Sequence, residues 1–143
     1  MDRLAVTEWV AFSDMDLASA KHLCSMIPKP LEIICYLCQQ SAEKALKAFW
    51  IHSDIAPQKT HDLEHLRDKC ETLDESFAEL ISECDRLNLY STQPRYPFGL
   101  ELKEELMNLA IKDCEKISEF VKARIQVSEE PMANTQDVEG VSE

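Results

Sequence analysis

A chain of 143 residues with 45% hydrophobic content and two glycines suits a single domain around one core, and it points to helices rather than strands. A net charge of −12 opposes extended tracking along a phosphate backbone, because counterion release needs a basic surface. There is no 18-residue uncharged apolar window, and Asp14, Asp16 and Lys21 stand in the first helical segment where a leader would be apolar, so a soluble, cytoplasmic protein is expected.

Five helices follow from the 3.6-residue period. In the first, Val6, Trp9, Val10, Ser13, Leu17, Ala20, Cys24 and Ile27 share a face, while Asp14, Lys21 and Ser25 point outward. Pro28-Lys29-Pro30 ends it, and Pro30 suits the first turn of a second helix that closes near Ser53. Its buried stripe is Ile34, Leu37, Cys38, Ser41, Ala45, Ala48 and Phe49; the small Ser41, Ala45 and Ala48 invite close approach of a neighbour. Glu43 and Lys47, four apart, read as an exposed-face pair.

A linker from Asp54 to Lys59 contains Pro57, after which Thr60 is placed to cap a third helix with Asp62 in its first turn and Leu63, Leu66 and Cys70 inward. The fourth helix is expected from about Asp74 to Leu89, with Phe77, Leu80, Ile81, Cys84 and Leu87 in the core. Two prolines make Tyr90 to Pro97 extended. A fifth helix from about Leu100 buries Leu106, Ala110, Cys114, Ile117, Val121 and Ile125. The expected division is a bundle over residues 1–127 and a disordered acidic tail over 128–143, which holds five acids and no base.

The six cysteines all fall inside apolar helical patterns, which favours reduced, buried thiols over a disulfide framework. Cys35-x-x-Cys38 lacks the second ligand pair of a structural zinc site and the βαβ context of a redox motif. Neither a metal nor a cofactor is expected. No Gly-rich phosphate loop or nucleophile elbow is present either.

The run Gln39, Gln40, Ala42, Glu43, Lys44, Ala45, Leu46 and Lys47, followed by Lys59, Thr60, His61, Asp62 and Leu63, resembles the signature of HEPN domains (higher eukaryotes and prokaryotes nucleotide-binding). With the first helix, its Asp16 and Leu17, and the Tyr90 to Pro97 turn, the resemblance spans roughly the first 125 residues. It implies an all-α, up-and-down bundle of about five helices, like the substrate-binding subunit of a nucleotidyltransferase. It also implies a homodimer, with the ends of helices two and five and the Arg95 turn near the dimer cleft.

Functionally, the resemblance implies a binding module that partners a minimal nucleotidyltransferase, in a toxin-antitoxin or substrate/nucleotide-binding pair. The alternative is a metal-independent ribonuclease in which an Arg steadies the scissile phosphate and a His four to six residues later moves protons. Arg95 stands where that Arg is expected, but no histidine follows His65, which disfavours the enzyme reading. Candidate ligand contacts are Arg95 and Tyr96, a guanidinium fork beside an aromatic ring, and a basic strip of Lys44, Lys47, Lys59 and His61 for a nucleotide, RNA or an acidic partner. The structural counter-reading makes that strip an ordinary solvated helix face.

Overall fold

The computed structural model of the protein describes residues 2–91 and 102–140, with side chains through Gln126. The helices are α1 (Arg3–Leu23), α2 (Leu31–His52), α3 (Leu63–Leu73), α4 (Ile81–Asn88) and α5 (Glu104–Gly140), with a 3-10 helix (Glu75–Leu80) leading into α4. The all-α bundle expected from the sequence is what forms. Arg95, Tyr96 and the rest of the 92–101 segment lie outside the described residues.

Each helix starts and stops for a local reason. The Asp2 carboxylate accepts from Ala5 N at 3.0 Å and opens α1. Pro30 holds the N-cap position of α2, whose last turn closes with Ser53 N bonded to Phe49 O and Trp50 O. Asp54 then turns the chain with φ 66°, in the left-handed region that Asp tolerates better than most residues. The cap of α3 is Asp62 and not Thr60: its carboxylate accepts from Glu64 N at 3.0 Å and His65 N at 3.4 Å, while Thr60 Oγ1 accepts from Asp62 N one step earlier.

The expected fourth helix begins as a 3-10 helix, on which Phe77 and Leu80, three apart, share one side. The α-helical part then carries Cys84 and Leu87 inward, and all four of these side chains are fully buried. Ile81, expected in the core, is exposed at the junction. In α5 the core position belongs to Met107 rather than Leu106, and the helix starts at Glu104 rather than near Leu100. Ile27 is 96% exposed because α1 ends at Leu23, before the face reaches it.

α2 is the axis of the bundle, packing against α1, α3, α4 and α5. Where α1 crosses it the contact is a reciprocal serine clasp. Ser13 Oγ donates to Ser41 O at 2.8 Å and Ser41 Oγ donates to Ser13 O at 2.7 Å, all of it buried. The close approach expected of Ser41 is therefore real and includes polar bonds. Phe49, Phe77 and Phe120 pack in series, tilted and then edge-on, at centroid distances of 4.6 and 4.9 Å and join α2 to the 3-10 helix and α5. Arg86 grips Asp113 through two 2.8 Å bonds between α4 and α5.

Five of the six cysteines are buried and none is paired. Burial pushes the Cys35 thiol up to about 11 and those of Cys70 and Cys84 up to about 12, so none of the three is a thiolate at neutral pH. Contact with the Cys114 thiol, and then burial, also push Cys38 up. Among the described residues no group of His, Cys, Asp and Glu is arranged to hold a metal, and no helix is long and apolar enough to cross a membrane.

Two expectations follow. Ser41→Val removes the hydroxyl that donates to Ser13 O, crowds the α1–α2 crossing with a bulkier side chain and should lower stability by about 1–3 kcal/mol in urea denaturation. The Asn88 amide, and after it the backbone N–H groups of His65 and Glu64, hold the Asp62 carboxyl below its ordinary value of 3.8. A carboxyl depressed on folding stabilises the protein above its unfolded pKa, and the effect disappears as pH falls through the folded value. The stability gap between the wild type and Asp62→Asn should thus be constant above about pH 5 and narrow as the pH falls through the depressed folded value; a gap that ignores pH contradicts this.

Candidate functional site

The residues from Gln39 to Lys47 and from Thr60 to Asp62 meet where the α3 cap folds back onto the middle of α2. Glu43 and Lys47, far from lining a solvated face, are only 4% and 5% exposed. Lys47 Nζ donates to Glu43 Oε2 at 2.7 Å, and the ammonium sits 5.7 Å from the centroid of the Trp9 ring. The other carboxylate oxygen, Oε1, faces the chain that enters α3. There it receives His61 Nδ1 at 2.9 Å and, more loosely, Gln40 Nε2 at 3.4 Å.

His61 is held a second time through its backbone. Gln39, fully buried, donates from Nε2 to His61 O at 2.8 Å, and its own Oε1 accepts from Gln40 Nε2 at 2.9 Å. The next residue, Asp62, is tied to α4 by Asn88 Nδ2 at 3.0 Å, while Asn88 Oδ1 accepts from Leu63 N at 2.9 Å. The imidazole is thus fixed at its root and at Nδ1, yet its side chain remains 66% exposed. A carboxylate can only accept, so Nδ1 carries a proton and, in the neutral ring, the lone pair is on Nε2.

The expected basic strip is not assembled as an open cationic surface. Lys44 pairs with Asp16 of α1 at 2.5 Å and Lys47 points into the core, while His61 is turned outward. Lys59 lies exposed in the linker just before it. The carboxylate partner of His61 escaped sequence reasoning because an i, i+4 Glu-Lys pair reads as a surface feature. The available signal was the composition of α2, whose 22 residues carry charge only at Glu32, Glu43, Lys44 and Lys47, as a helix covered on every side should.

A second feature, missed in the sequence, is an open groove of about 790 Å³ at the C-terminal end of α2, lined by Phe49, His52, Asp74, Ser76 and Arg124 among others. Arg124 Cζ sits over the Phe120 ring, 3.4 Å from its centroid, and the guanidinium donates from Nε and Nη2 to Ser76 Oγ at 3.1 Å. Its partner is 48 residues away, so no local pattern announced it. The arginine clips α5 to the first turn of the 3-10 helix.

The HEPN-domain family model matches residues 6–124. The chain belongs to that family. The crystal structure of an archaeal HEPN homologue is similar to it, with a TM-score of 0.66 at 26% identity, covering 84% of this chain and 97% of the archaeal one. No curated protein matches. The residues whose pattern resembles the HEPN signature include those that build the polar elbow: Gln39, Gln40, Glu43 and Lys47 from α2, and His61 with Asp62 from the cap.

Breaking the buried pair from one side should be costly. Lys47→Met strands a buried carboxylate and is expected to destabilise the HEPN bundle by about 3–5 kcal/mol, whereas Glu43→Gln combined with Lys47→Met should recover most of that loss. Chemical denaturation of the wild type, both single variants and the double variant gives the coupling directly. Additive losses would mean that the two side chains do not interact.

Proposed function

We propose that this HEPN chain is a binding module acting with a minimal nucleotidyltransferase, in a substrate/nucleotide-binding or toxin-antitoxin pair, and that it works as a homodimer. The observation that carries the reading is where the positive charge of α2 goes. Lys44 and Lys47 are both paired with carboxylates of the bundle, Asp16 and Glu43, and beside the exposed Lys59 the oriented imidazole of His61 is turned outward.

Such a surface suits a small polar ligand or the face of a partner protein. It is poorly suited to an RNA backbone, whose phosphates would meet a field of net charge −12. The ribonuclease alternative also lacks the histidine expected after Arg95, since His65 is the last in the chain. In the two-chain reading the nucleotidyltransferase performs group transfer and this chain supplies the acceptor site or the contact that regulates it.

Native mass spectrometry of the tagged chain purified from its own cells is the test. The expected species contains two copies of this chain together with a nucleotidyltransferase. Metal-independent RNA cleavage by the purified chain, lost in Arg95→Ala, would overturn the binding-module reading in favour of the ribonuclease.

A further inference from the structure

We infer that His61 is a proton-transfer residue, a surface imidazole that takes a proton at Nε2 from a hydroxyl-bearing ligand, with Glu43 as its positioning residue. What His61 acts on rests on the two-chain reading above; that His61 is built for proton transfer does not.

The construction around it is specific. A buried Glu-Lys pair gives a helical bundle no stability that apolar side chains of similar volume would not supply, so its presence calls for another role. Here that role is visible in the geometry. Lys47 saturates Glu43 Oε2 at 2.7 Å, leaving Oε1 aimed at His61 Nδ1 at 2.9 Å, and Gln39 fixes the His61 carbonyl at 2.8 Å. The carboxylate sets the tautomer with Nδ1 protonated, keeps the Nε2 lone pair outward and stabilises the imidazolium that forms when Nε2 is protonated.

The other histidines are arranged differently. His65 Nε2 is engaged by Gln58 Oε1 at 2.8 Å and its ring lies edge-on to Trp50. His52 turns a buried Nδ1 inward beside Phe49, and His22 is exposed on α1. Of the four, His61 is the one whose ring meets a carboxylate in the described residues.

The ligand's O–H proton moves to Nε2, its electron pair stays on oxygen, and the new imidazolium is paired with Glu43. In the two-chain setting that oxygen attacks the α-phosphorus of a nucleoside triphosphate held by the nucleotidyltransferase, a P–O bond forms, and pyrophosphate leaves.

The probe is diethyl pyrocarbonate on the full native chain, read histidine by histidine from peptide masses. Nε2 bonds to a carbonyl carbon, ethyl carbonate departs and breaks down to carbon dioxide and ethanol, and the Nδ1 proton is drawn toward Glu43. His61 should react several-fold faster than the exposed His22, and Glu43→Gln should bring it down to the His22 rate. Because that variant strands Lys47, Glu43→Gln with Lys47→Met is tested beside it, with helicity checked by circular dichroism.

A His61 rate no higher than that of His22 in the native chain overturns the inference, and an undiminished rate in the folded double variant removes Glu43 from it. In a reconstituted pair His61→Gln should lower kcat by about 10²-fold or more with KM unchanged; an unchanged kcat overturns the proton-transfer role. A fast His61 in a chain that captures no nucleotidyltransferase would sink the two-chain reading and leave the dyad standing.

Discussion

α2 is packed on by α1, α3, α4 and α5, so any polar group along its middle must find its partner inside the protein. Four do. Ser41 exchanges hydrogen bonds with Ser13, Gln39 reaches the His61 carbonyl, Lys47 closes on Glu43, and Glu43 reaches out to the His61 ring. The first bond fixes how closely α1 lies on α2. The other three fix where the chain between α2 and α3 returns, and with it the surface that the HEPN domain presents.

The same bonds link stability to function. A buried carboxylate left alone would be costly, so Lys47 is needed for Glu43, and Glu43 is needed for the orientation of His61. Lys47 in turn packs near the Trp9 ring, which joins α1 to the arrangement. A defect in this chain of contacts would loosen the bundle and the surface histidine together, which is why paired substitutions separate the two effects better than single ones.

Much of the fold was legible. The apolar period marked α1, α2 and α5, the Pro28-Lys29-Pro30 break placed the first turn correctly, and small residues on α2 marked its closest contact. The errors have identifiable causes. Thr60 and Asp62 are both capping types two residues apart, and only the backbone bonds from Glu64 and His65 choose Asp62. Phe77 and Leu80 fit an α-helical period as well as a 3-10 one. The elbow was half legible: His61 and Lys47 were singled out as ligand contacts, but the burial of Lys47 and the pairing of both with Glu43 depend on how α2 is covered, a tertiary fact. Arg124 depends on Ser76 and Phe120 together, a junction between distant segments that no short window contains.

The central claim is that the buried Glu43-Lys47 pair holds the neutral His61 ring in one tautomer, with the proton on Nδ1. Long-range nitrogen-proton NMR of the labelled chain, under conditions where the ring is neutral, reads that directly. The account predicts a His61 ring protonated at Nδ1, with Nε2 showing the shift of a bare lone pair, and a change of tautomer in the folded Glu43→Gln, Lys47→Met variant. A His61 ring protonated mainly at Nε2, or unaltered in that variant, would contradict it.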